Sequence, residues 1–118
     1  MFKALLVAAV AAALIAVPAY AKSSAVTLKG ETGPGFHIDV EKAGKDLKTT
    51  KAGTYKIKVE DKSSSHNFHL IGKGLNKLTG VAFTGDKTWT VTFKPGKVTY
   101  QCDPHHLSGM KGTFRVTS

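Results

Sequence analysis

From residue 22 onward, apolar and polar positions alternate in short runs, broken every few residues by Gly, Pro or Ser. No helical period is sustained anywhere in that stretch, so the pattern predicts an all-β sandwich or barrel. Residues 25–28 and 36–40 read as the first two strands, separated by a Gly33-Pro34-Gly35 turn. Residues 41–52 are polar and rich in Lys and Thr, and read as a connection with room for a short helical turn. A strand opens at Gly53, with Tyr55, Ile57 and Val59 on one face and Lys56, Lys58 and Glu60 on the other, which is the period of a half-buried strand. After a turn over 61–65, residues 66–71 place His66, Phe68 and Leu70 on one face and Asn67, His69 and Ile71 on the other. Residues 72–85 read as a Gly-rich loop that packs Leu75, Leu78, Val81 and Phe83 against the sandwich, with no phosphate-binding pattern. Trp89, Val91 and Phe93 alternate with threonines in another strand. Lys94-Pro95-Gly96-Lys97 is a turn, and Val98, Tyr100 and Cys102 then share an inner face at the end of a strand. A last strand over 112–117 points Phe114 and Val116 inward.

The first 21 residues break this pattern. Met1-Phe2-Lys3 is a short positive segment, Ala4 to Val17 is unbroken apolar sequence, and Ala19-Tyr20-Ala21 fits a small-x-small cleavage site. The run is shorter than the roughly 20 residues a spanning helix needs, so it reads as a secretory signal peptide over 1–21. Residues 22–118 then form one domain, periplasmic or secreted, with no membrane anchor after cleavage. The sequence holds 17 Lys plus Arg against 8 Asp plus Glu. Losing Lys3 leaves 16 cations against 8 acids, a formal charge of +8. Such a surface favours acidic partners. The cations are interspersed rather than clustered, and nothing resembles a nucleic-acid module, so nucleic acid is not the expected partner.

An exported chain with a single cysteine, Cys102, has no intramolecular disulfide to form. Its neighbours suggest another use for the thiol. In Tyr100-Gln101-Cys102-Asp103-Pro104-His105-His106-Leu107-Ser108-Gly109-Met110 a thiolate, an imidazole and a thioether stand within one short loop. Two His and one Cys in a plane with a distant Met form the donor set of a type 1 copper site. A second histidine must come from elsewhere, and His66 or His69 can supply it. Strand parity turns His66 inward with Phe68 and Leu70, and His69 outward. No acyl-transfer or hydrolytic set competes, because Cys102 and His105 sit three apart with a Met nearby and the eight acids are scattered. An enzyme is therefore not expected. His37 reads as a surface histidine, and Asp103 is given no role.

The stretch from Gly53 to Ser118 resembles the cupredoxins, the small blue copper proteins, and within them the plastocyanin and pseudoazurin branch. The residues that carry the resemblance are Gly96-Lys97-Val98-Thr99-Tyr100-Gln101-Cys102, the Cys102-x2-His105-x4-Met110 loop and His66-Asn67. The resemblance implies a Greek-key β-sandwich of about seven to eight strands. It implies one copper, held equatorially by His66, Cys102 and His105 and axially by Met110. Asn67 would brace the Cys102 loop by hydrogen bonding. Single-electron transfer by a monomer follows, with an acidic redox partner such as a c-type cytochrome, an oxidase or a reductase. The chain departs from the family in having His69 near His66 and His106 beside His105, and in lacking an acidic patch. The second expectation, a periplasmic copper carrier or resistance protein, would use the same ligands plus those two extra histidines.

Overall fold

The computed structural model describes residues 26–118; the predicted signal peptide over 1–21 lies outside the described residues. Ten strands follow one another: β1 (Val26–Thr32), β2 (Ile38–Lys42), β3 (Lys45–Asp46), β4 (Thr49–Lys51), β5 (Gly53–Asp61), β6 (His69–Gly72), β7 (Leu75–Leu78), β8 (Gly85–Phe93), β9 (Gly96–Gln101) and β10 (Lys111–Thr117). The one helical element among them is a 3-10 turn over Asp103–Ser108. The strands form two five-stranded sheets, in the orders β3-β2-β1-β5-β8 and β4-β10-β9-β6-β7. From β5 onward the chain crosses repeatedly between them. Two pairings are parallel, β1 with β5 and β4 with β10; the others are antiparallel.

Alternation drives the layers together. Leu28, Ile57, Val59, Val91 and Phe93 of the first sheet face Leu70, Val98, Phe114 and Val116 of the second, all buried. Each such side chain contributes roughly 1.5–3 kcal/mol of burial. Phe93 of the first sheet lies edge-on to Phe114 of the second at 5.3 Å, and Phe68, just before β6, stacks on Tyr100 at 6.3 Å. Phe68 reaches that position because Gly30 leaves room on β1; a Cβ there would stand 2.7 Å from its ring.

The structure corrects several local expectations. Phe36 and His37 belong to the β1–β2 loop rather than to a strand. The stretch 41–52 contains no helical turn. Ala43 and Gly44, with φ of 51° and 77°, turn β2 back into β3, the geometry of a two-residue hairpin. β4 then pairs with β10, and is pinned where the Tyr55 hydroxyl donates to the Lys51 carbonyl at 2.6 Å. These two short strands raise the count above the seven or eight expected. Residues 75–78 form β7 rather than loop, and Leu78 and Val81 are exposed instead of packed. Asp61, read as a turn residue, ends β5 with its side chain buried.

Candidate metal centre

Four segments converge at one end of the sandwich: the β1–β2 loop, residues 62–68, the end of β9, and the 3-10 turn that leads into β10. They bring together three of the four donors. His66 Nδ1 and His105 Nδ1 stand 3.0 Å apart, and Cys102 Sγ lies 3.5 Å from the first and 3.4 Å from the second. Three donors roughly 2.0–2.3 Å from one centre in a regular plane would be spaced by about 3.5–4.0 Å; the observed triangle is slightly tighter, and its donors are close enough together to hold a single metal ion. Both imidazoles turn the same nitrogen inward. Cys102 is fully buried and His66 nearly so, while His105 is partly exposed.

Met110 is buried, and its backbone is tied to the other two loop donors. Cys102 N–H donates to the Met110 carbonyl at 3.0 Å, and Met110 N–H to the His105 carbonyl at 3.2 Å. His105 N–H in turn donates to the Cys102 carbonyl at 3.1 Å. Pro104 stands in the first turn of the 3-10 segment and Gly109 caps its end with φ of 96°, a conformation that favours glycine. The three loop donors are therefore fixed by backbone bonds that need no metal.

His66 is set by a second group of contacts. The buried Asp61 carboxylate accepts from Ser63 N–H at 3.1 Å and from the Thr79 hydroxyl at 3.4 Å, and that same hydroxyl accepts from Phe68 N–H at 2.9 Å. Burial pushes the Asp61 carboxyl above its usual range, partly offset by these donors. Strand parity placed His66 inward correctly but failed at Asn67, which is also buried, because β6 begins only at His69.

Asn67 joins the two ligand-bearing segments. Its Oδ1 accepts from Asp103 N–H at 2.7 Å, and its Nδ2 donates to Asp103 Oδ2 at 2.9 Å and to the Thr79 carbonyl at 3.2 Å. Asp103, to which the sequence assigned no role, is the hub of this end. Its Oδ1 also accepts from Gln101 Nε2 at 2.9 Å and from His69 Nδ1 at 2.8 Å. Burial alone would raise the Asp103 carboxyl, but the bonds from Gln101, His69 and Asn67 outweigh it and hold the pKa below the usual value. His69 is thus engaged outside the triangle, and His106 donates to the Asp103 carbonyl at 2.7 Å.

Phe36 also escaped the sequence reading. Gly33, with φ of 72°, lets the β1–β2 loop close against the 63–66 turn; a Cβ there would lie 2.8 Å from that of Ser63. The loop carries Phe36 to 5.6 Å from the His105 ring and 6.4 Å from the His66 ring, edge-on to both. With Leu107, 90% exposed, it gives this end an apolar surface.

Two mixed five-stranded sheets closed over one core, with loops gathered at one end, make this the cupredoxin fold. Several similar solved structures are of rusticyanin. A methionine-to-glutamine variant of rusticyanin has a TM-score of 0.60 and 20% identity, covering 80% of this chain and 78% of that one. Rusticyanin from Thiobacillus ferrooxidans has a TM-score of 0.57 and 21% identity, again over 80% of this chain and 78% of that one. A third structure, described as the copper protein rusticyanin, has a TM-score of 0.59 and 19% identity over the same shares. No family model matches the sequence. The likeness is one of fold, and the chemistry rests on this chain's own residues: a His, Cys, His and Met set that could hold one copper.

Proposed function

We propose that the chain binds one type 1 copper through His66, Cys102 and His105, with Met110 as a weak axial ligand, and carries single electrons between redox proteins. The observation that carries this reading is the buried triangle of two imidazole nitrogens and one sulfur, with edges of 3.0–3.5 Å. Bound there, copper would supply a one-electron Cu(I)/Cu(II) couple, its potential tuned by the axial ligand and by hydrogen bonding around the sulfur.

The chain's own residues do the rest. The backbone bonds among Cys102, His105 and Met110 hold the donors in place, so little rearrangement accompanies a change of charge. Cys102 is shut away from water, which protects the thiolate from oxidation. His105 is partly exposed beside Phe36, so its ring offers a route through which an electron can enter or leave. Asn67 and Asp103 keep the His66 and Cys102 segments in register, as partners outside a ligand shell commonly do. On this reading the protein is an electron carrier rather than an enzyme.

The leader-like sequence over 1–21 supports export, and the excess of cations supports an acidic redox partner. The carrier or resistance reading draws less support. It would recruit His69 and His106, and both already bond to Asp103. Cyclic voltammetry of the copper-loaded protein tests the proposal. A reversible one-electron wave is expected; copper that binds but cannot be cycled reversibly would overturn the electron-carrier role.

A further inference from the structure

Charge is divided between the two sheets. All the acids of the chain except Asp103 lie on strands of the first sheet. There they pair with cations: Lys29 lies 3.4 Å from both Glu31 and Glu60, Lys62 lies 3.3 Å from Glu31, and Lys58 lies 3.8 Å from Asp86. The strands of the second sheet contain no acid at all. Its outward positions carry Lys51 on β4, Lys97 on β9, and Lys111 and Arg115 on β10, all exposed. None of the four has a carboxylate within ion-pair distance among the described residues.

Arg115 and Lys97 stand directly opposite each other in the β9–β10 ladder. Like charges in that position destabilise a sheet, and nothing within this face compensates. Between the cations lie Thr49, Thr99, Thr113 and Thr117, short side chains that keep the face flat and polar. A surface that rests in lipid presents Trp, Phe or Leu to insert; threonines instead suit a flat protein contact. At one end this face meets the metal centre, because Gln101 pairs with both Lys111 and His69 and directly precedes Cys102.

We propose that the outer face of the second sheet, built on Lys51, Lys97, Lys111 and Arg115, is the docking surface for a carboxylate-rich face of a partner protein. The partner's redox character rests on the electron-carrier reading; the docking itself does not. A partner seated here lies along β9, whose last residue precedes Cys102, and so approaches the centre from its sulfur side. Such contacts speed encounter and weaken with salt.

The experiment is a nuclear magnetic resonance titration of the full chain at low salt, without added metal and then with one equivalent of Cu(I). Poly-L-glutamate serves as the acidic polypeptide, and phosphatidylglycerol vesicles as the competing anionic surface. Amide shifts should centre on β4, β9 and β10 in both metal states and disappear at high salt. The Lys97→Glu/Arg115→Glu pair should weaken binding by about tenfold or more. The Lys56→Glu/Lys58→Glu pair on the first sheet, an equal change in net charge, should weaken it far less. A Lys97→Gln/Arg115→Gln pair gives the same ranking should the reversed pair fold poorly. Equal losses for both sheets would overturn the proposal, because net charge alone would then govern. Tighter binding of the same amides to vesicles would overturn it in favour of lipid, and no binding to poly-L-glutamate would also overturn it. Docking by a protein that gives no blue band when Cu(II) is added in a separate sample would leave the docking intact and refute only the electron-carrier reading.

Discussion

Asn67→Ala tests whether the two ligand-bearing segments are held together before any metal binds. The substitution removes three hydrogen bonds, to Asp103 N–H at 2.7 Å, Asp103 Oδ2 at 2.9 Å and the Thr79 carbonyl at 3.2 Å. Asp103 keeps its bonds from Gln101 and His69, so its carboxylate is not stranded. Its N–H and the Thr79 carbonyl lose the partner seen in the structure, and a buried group left without one costs about 1–3 kcal/mol. A total of about 3 kcal/mol is expected, a large share of the 5–15 kcal/mol typical of a domain. Urea unfolding of the metal-free protein reads it directly. With a slope of about 1–3 kcal/mol/M for a small protein, the midpoint should fall by about 1–3 M at unchanged slope. A loss below about 1 kcal/mol would mean that Asn67 does not brace the two segments, since it falls short of even one stranded group. Asn67→Asp sharpens the test by setting a second carboxylate against Asp103 Oδ2. It should be worse than Ala at neutral pH and recover as acid protonates the pair.

The other predictions concern packing, titration and the axial ligand. Gly30→Ala places a Cβ 2.7 Å from the buried Phe68 ring and should cost about 1–3 kcal/mol of unfolding free energy in the same urea assay. The Asp61 carboxyl titrates higher in the folded protein than in the unfolded one. Its contribution is therefore most favourable below the ordinary carboxylate pKa and is lost as pH rises through the raised folded value. Asp61→Asn should accordingly gain stability relative to the parent as pH rises through that window; a pH-independent difference would contradict the shift. Met110→Leu should retain copper and raise its reduction potential, measured by voltammetry, and an unchanged potential would remove Met110 from the axial role.

The sheet framework and the donors were legible because both are local. Period-two alternation marked β5, β8 and β9, and the Cys102-x2-His105-x4-Met110 spacing lies within a single loop. β3 and β4 were not legible. Their residues are polar, the hairpin between β2 and β3 turns on Ala43-Gly44 rather than Asn-Gly, and β4 is a strand only because β10, more than sixty residues later, pairs with it. The Asp103 hub escaped for the same reason. His69 and Asp103 are 34 residues apart, and they meet only because β6 lies beside β9 with His69 opposite Gln101. Parity did turn His69 outward, which is where Asp103 and Gln101 receive it. Phe36 read as the start of a strand; a glycine turn instead carries it to the histidines.

A visible absorption spectrum after one equivalent of Cu(II) decides whether Cys102 and two imidazoles close on one copper. An intense blue thiolate-to-copper band is expected in the parent protein and none in Cys102→Ser. A colourless parent, or a blue Cys102→Ser variant, would contradict that closure.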